Sequence, residues 1–228
     1  INSQEITARK ERQQQLALFD RVLRHNLRND MNVIRGSADT IQETGTGDVT
    51  WLAEKIREVC NKLLTTTEKQ REITQLLREP PTQSEIDLKP LLEEMQSTLQ
   101  STYPEATIHI DCEKTVRLQV GDKFVSALEE LVTNAIIHND SDNPSVVVTV
   151  EHADEQVQIT VADNGPRISE MERDVIQHPE NRSPLYHGGG LGLWLVKLIV
   201  SRSGGTIEFV ETDQDGNTIA VSLPHPSA

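Results

Sequence analysis

The chain changes its pattern of apolar and polar positions about a third of the way along. From Glu5 to Arg78 there is no proline, and apolar residues recur at helical spacing. Leu16, Phe19, Leu23, Leu27, Met31, Ile34, Ala38 and Ile41 step by three or four, which predicts a long helix with a buried seam. Thr44-Gly45-Thr46-Gly47-Asp48 interrupts it with turn chemistry. The seam resumes at Leu52, Ile56, Val59 and Leu63 and returns at Ile73 and Leu77; Thr66 and Gln70 interrupt it, either as a looser layer near its end or, on the plainer reading, as solvated positions. Two long helices joined by a short loop form an antiparallel hairpin. A single hairpin cannot cover its own stripe, so a homodimer is expected, two copies completing a four-helix bundle.

Glu79-Pro80-Pro81-Thr82-Gln83-Ser84 stops the second helix and reads as a linker. Beyond it short strands and helices intermix. Strands are expected around Ile86–Leu88, Thr107–Asp111, Val116–Val120, Val146–Val150, Val157–Val161, Ile207–Val210 and Thr218–Leu223. Helices are expected from Pro90 to about Leu99, from Asp122 to Ile137 and from Leu191 to Ser203. The fold class is α+β, with helices on one face of a mixed sheet. The boundaries are 1–79 for the helical hairpin, 80–85 for the linker and 86–228 for the sheet domain.

Composition narrows the function. The net charge of −14 lacks the basic footprint that general nucleic-acid binding needs. No apolar stretch approaches the roughly 20 residues of a membrane span, so no membrane contact is expected from this segment. The polar start, Ile1-Asn2-Ser3, is no cleavable signal and lacks Met, which suggests a piece of a longer protein. Cys60 and Cys112 have no metal-type spacing and read as reduced thiols of a cytoplasmic protein. Arginines outnumber lysines 14 to 8, and this acidic, lysine-poor composition would suit a salt-loving source.

Three segments of the sheet domain carry candidate chemistry. On the helix Asp122–Ile137, Glu130 and Asn134 share a face, as do Asn134 and His138 just beyond it. Their hard oxygens suit Mg²⁺, although this spacing is equally that of an ordinary solvated helix face. Asp163-Asn164-Gly165 follows a strand, where a carboxylate can accept from an exocyclic amine; it is also a good plain turn. Gly188-Gly189-Gly190-Leu191-Gly192 precedes a helix, an arrangement that lets backbone N–H groups approach phosphate, or serves as a hinge.

In order and spacing, these segments resemble the N, G1 and G2 boxes of the Bergerat-fold ATP-binding domain of histidine kinases, gyrase and Hsp90-type ATPases. The resemblance implies a Bergerat-type α/β sandwich that binds ATP and Mg²⁺. It gives Asn134 and Glu130 the metal, Asp163 and Gly165 the adenine, and Gly188, Gly190, Leu191 and Gly192 the phosphate end. It makes Pro166 to His187 the ATP lid. Three positions depart from the common pattern: Glu130 where many histidine kinases have Asn, Arg167 in place of a second glycine, and Ile137 where a phosphate-contacting Lys or Arg is common. His138 or a lid residue is expected to substitute for the last.

In the helical half, His25-Asn26-Leu27-Arg28-Asn29-Asp30 resembles the H box of histidine kinases, in a halobacterial-type version. His25 lies off the Leu23–Leu27 seam and is expected to be accessible. The resemblance implies a two-component transmitter core that autophosphorylates His25 and passes the phosphoryl group to the receiver domain of a response regulator. An upstream sensor domain is expected in the full-length protein. Asn26 stands where the family has an acid, and its amide oxygen is expected to orient the imidazole N–H. Asn29 is placed to position a water for dephosphorylating the regulator. Three rival readings stay open: a catalytically dead nucleotide-binding scaffold, an ATPase of the chaperone or gyrase type, and a simple interaction bundle.

Overall fold

A computed structural model of the chain describes residues 27–41, 49–112, 114–153, 156–170, 172–173, 190–212 and 215–225. His25, Asn26, Gly188, the 44–48 turn and most of the expected lid lie outside the described residues. The chain divides into two compact units, one of residues 1–79 with 185–191, the other of 80–184 with 192–228.

The first unit is helical over 27–41, here α1, and over Val49–Arg78, α2. On α1 the shielded positions are Leu27, Asp30, Ile34, Ser37 and Ile41, a 3-4-3-4 stripe. Met31 and Ala38, expected on the seam that a second copy would complete, are exposed in the single copy, Met31 to 53%. Asp30, half-buried on the stripe, meets Lys62 of α2 at 3.7 Å. On α2 the shielded stripe runs Leu52, Ile56, Val59, Leu63, Thr66, Gln70, Ile73 and Leu77. Thr66 and Gln70 therefore continue the seam as half-buried polar members, where solvated interruptions were expected. Helical phase decides the side, whatever the polarity of the residue.

The second unit opens with β1 (Ser84–Asp87), paired antiparallel with β3 (Arg117–Val120) as a small two-stranded sheet. The main sheet has five strands in the order β2-β4-β5-β7-β6. These are Thr107–Asp111, Ser145–Ala153, Gln156–Asp163, Thr218–Pro224 and Thr206–Phe209 in that order. Only β2 and β4 pair parallel; the other pairs are antiparallel. Along β5 the alternate residues Val157, Ile159 and Val161 are buried, the period-two signature of a sheet with one packed face.

Helices α3 (Leu88–Thr102), α4 (Phe124–Ile137) and, from Gly192 onward, α5 (Leu191–Arg202) belong to this unit. The α3 helix packs on β2, and α4 on β4 and β5. Helix α3 starts two residues before Pro90 because the Asp87 side chain caps it, accepting from the Lys89 N–H at 3.3 Å. Leu88, expected in a strand, is thus the first residue of a helix. In α4, Phe124, Ala127, Leu128, Leu131, Val132 and Ile136 form the buried stripe. That fixes the helix rotation and turns Glu130 and Asn134 away from the core. Among the described residues no helix is long and apolar enough to cross a membrane.

Phe124 is fully buried at the start of this helix. Phe124→Ala is expected to cost about 3–5 kcal/mol in urea unfolding; a loss below about 1 kcal/mol would show that the α4 stripe is not part of the core.

Candidate functional site

The rotation of α4 brings Glu130 and Asn134 one turn apart on its half-buried flank, where the Asn134 Nδ2 donates to Glu130 Oε1 at 2.9 Å. The start of α5 comes to the same place. A Cβ built on Gly192 would collide with Glu130 Oε1 and would lie 3.0 Å from Asn134 Nδ2. The close packing of helix start against carboxylate and amide exists because residue 192 has no side chain. Gly190, just before the helix, has a φ of 79°, in the region that favours glycine.

One turn beyond Asn134, at the C-terminal end of α4, His138 is the exposed C-cap, its N–H bonded to Asn134 O at 3.1 Å. The next residue, Asn139, reaches the turn after β5. Its Nδ2 donates to Asn164 Oδ1 at 2.8 Å, and a Cβ on the buried Gly165 would lie 3.1 Å from Asn139 Cγ. Asn164 Oδ1 also accepts from the Ser145 N–H at 2.8 Å, and its Nδ2 donates to Asn143 O at 3.1 Å. Neighbouring asparagines thus lace the end of α4, the loop into β4 and the Asp163 turn together.

Asp163 Oδ1 accepts from the Gly165 N–H at 2.8 Å and from the Asn217 backbone N–H at 3.3 Å. The Asn217 side-chain Nδ2 lies 3.1 Å from Oδ1 and 3.2 Å from Oδ2. Arg167, in place of a glycine, needs no unusual backbone: among the described residues only glycines have positive φ. Its guanidinium donates to Thr212 O at 3.1 Å and lies 3.9 Å from Glu211. Arg173 also bonds Glu211 and sits 5.0 Å over the Phe209 ring, so Arg167 and Arg173 are both anchored at the end of β6. Ile137 is 58% exposed, an apolar group where a cation was anticipated.

Of the expected site residues, Glu130, Asn134 and Gly192 are in mutual contact, and Asp163 with Gly165 is tied to the end of the same helix. Asn29 lies exposed on α1 in the other unit. Sequence reading missed Asn139 and Asn217; Gly216-Asn217 before β7 gave only a turn signal. No group of three or more His, Cys, Asp or Glu suited to a metal occurs among the described residues. One carboxylate and one carboxamide oxygen do fit Mg²⁺, which draws most of its ligands from water and phosphate.

Residues 119–227 match the histidine kinase-, DNA gyrase B-, and HSP90-like ATPase family. The C4-dicarboxylate transport sensor protein DctB of Rhizobium meliloti is 41% identical over 102 residues, 44% of this chain and 16% of DctB. The signal transduction histidine-protein kinase ArlS of Staphylococcus epidermidis is 22% identical over 212 residues, 88% of this chain and 46% of ArlS. The chain therefore spans less than half the length of either relative. The crystal structure of histidine kinase ThkA in complex with response regulator protein TrrA shares the fold, with a TM-score of 0.72 at 20% identity, covering 97% of this chain and 66% of that one.

The two tightest glycines should behave differently. In Gly192→Ala the new methyl meets the tip of a flexible side chain, so stability is expected to stay within about 1 kcal/mol of the parent. In Gly216→Ala it meets the Asp163 carbonyl, with φ at 104°, and a loss of more than about 2 kcal/mol is expected in urea unfolding. Equal losses would mean that the Glu130 carboxylate is as fixed as the backbone.

Proposed function

We propose that this chain, whose residues 119–227 match the histidine kinase-, DNA gyrase B-, and HSP90-like ATPase family, is a histidine kinase transmitter core that binds Mg·ATP, autophosphorylates His25 and passes the phosphoryl group to an aspartate of a response regulator. The observation that carries this reading is the packing of Gly192 on the Glu130–Asn134 pair, on the helix whose far end is laced to Asp163. It supports one site for base, metal and phosphates, with the division 1–79, 80–85 and 86–228 as phosphoacceptor domain, linker and catalytic domain.

The Asp163 carboxylate accepts from the adenine amine, and Gly165 lets the base lie close. Gly188, Gly190, Leu191 and Gly192 offer backbone N–H groups to the phosphates, at the positive end of α5. His138 lends a polar group beside them. Glu130 and Asn134 supply oxygens to Mg²⁺, which when bound neutralises charge on the phosphate oxygens. His25 attacks the γ-phosphorus with a bare ring nitrogen; the P–O bond to the bridging oxygen breaks and ADP leaves with the electron pair. Near pH 7 much of a free imidazole is already neutral, since its ordinary pKa is about 6.5. The Asn26 amide oxygen orients the other ring N–H without taking its proton. Asn29, one turn further, positions the water that hydrolyses the regulator's aspartyl phosphate, releasing inorganic phosphate and the free carboxylate.

The exposed Met31 and Leu64 support a second copy of the hairpin covering this unit as a homodimer. The regulator bound in the ThkA structure supports a receiver domain as phosphoryl acceptor. The length left over in the relatives supports a sensor region outside this segment.

With ATP labelled at the γ-phosphate, the chain is expected to take up acid-labile label that disappears in His25→Ala and in Asn134→Ala. Free phosphate release that persists in His25→Ala, without protein-bound label, would identify a gyrase-like ATPase instead. Asn26→Asp restores an anion beside the imidazole and is expected to speed autophosphorylation by about 10- to 100-fold, on the order of 1–3 kcal/mol; a slower variant would contradict the role given to Asn26.

A further inference from the structure

Asp163 does not stand by itself. Asn217, 54 positions later and just ahead of β7, spends every polar group it has on this turn. One limb of its Nδ2 reaches Asp163 Oδ1 at 3.1 Å and Oδ2 at 3.2 Å, and the other donates to Pro166 O at 2.9 Å. Its Oδ1 accepts from the Ile168 N–H at 2.7 Å. Its backbone joins in both directions, the N–H to Asp163 Oδ1 at 3.3 Å and the carbonyl from the Asp163 N–H at 2.9 Å. The preceding Gly216 passes so close to the Asp163 carbonyl that a Cβ would overlap it.

These contacts load the two carboxylate oxygens unequally. Oδ1 takes the Gly165 N–H and the Asn217 backbone N–H, with Nδ2 between the oxygens, so among these bonds Oδ2 receives only the longer limb of one donor. A carboxylate held in this way presents Oδ2 as an acceptor in one fixed direction. An acceptor there takes an amine from an incoming base and repels a carbonyl oxygen. Without the Nδ2 that bridges the two oxygens, only the two backbone N–H bonds on Oδ1 remain, and the direction of Oδ2 is less tightly fixed.

We propose that Asn217 is the positioning residue for base selection: by clamping Asp163 it makes the site prefer a purine with a 6-amino group over one with a 6-oxo group. This rests on the nucleotide-site reading above and adds the residue on which its discrimination depends. Asn217 touches no part of the nucleotide in this assignment; it acts through Asp163.

The test compares ADP with IDP, which differ at that one group, in calorimetric binding to the parent chain, Asn217→Asp and Asn217→Ala. Asn217→Asp is isosteric and keeps the acceptor for Ile168 but removes both side-chain donors; Asn217→Ala removes everything beyond Cβ and carries the test should the first variant not fold. The parent is expected to prefer ADP by at least about tenfold. In the variants ADP is expected to weaken about tenfold while IDP stays within about twofold, so that the preference collapses. A parallel loss of both nucleotides would mean that Asn217 only supports the fold and would overturn the assignment, as would unchanged ADP binding. A parent chain that binds ADP and IDP equally would also overturn it. Failure of the parent to bind either would overturn the nucleotide site itself.

Discussion

The candidate site is organised by the close approach of Gly192 to Glu130 and Asn134. A helix start, a carboxylate and an amide from two helices distant in sequence meet here without displacement because residue 192 has no side chain; a Cβ there would make the Glu130 carboxylate swing aside. The approach is set from below by packing. The buried stripe of α4 fixes its rotation, and the apolar run Leu193, Leu195, Val196, Ile199 and Val200 does the same for α5. What remains at the surface is a ridge of oxygen and amide groups facing a helix N-terminus, an arrangement suited to anionic phosphates with a divalent ion.

The other half of the site is held by side-chain amides. Asn139, Asn164 and Asn217 cross-link the end of α4, the loop into β4, the Asp163 turn and the entry to β7. An amide is suited to this work because it donates and accepts at once, so one residue can satisfy backbone groups on two segments without adding charge. The salt bridges and cation–π contact of Arg167 and Arg173 extend the same anchoring to the end of β6. Asn217 thus holds both the Asp163 carboxylate and the backbone that follows it, and the two arginines add anchors of their own.

Much of the fold was legible because periodicity is a local property. The expected strand Thr107–Asp111 coincides with the observed one, and α4 lacks only the first two residues expected of it. Leu88 failed because Asp87, a polar residue inside an apparent strand, caps a helix. Thr66 and Gln70 failed because polarity was weighed above helical phase on α2. In the site, the three motifs were readable since each is short and continuous. Asn217 was not, because its meaning lies in partners more than fifty positions away, and a Gly-Asn pair before a strand looks like any turn. Arg167 looked like a defect in a glycine motif; its side chain instead reaches Thr212 and Glu211.

A crystal structure of the chain grown with Mg²⁺ and a non-hydrolysable ATP analogue tests the central claim most directly. The account predicts the exocyclic amine within hydrogen-bonding distance of Asp163 Oδ2, the metal on the oxygens of Glu130 and Asn134, and phosphate oxygens against the backbone at Gly190 to Gly192. A nucleotide bound elsewhere, or bound with its base away from Asp163 and its phosphates away from Gly192, would contradict it.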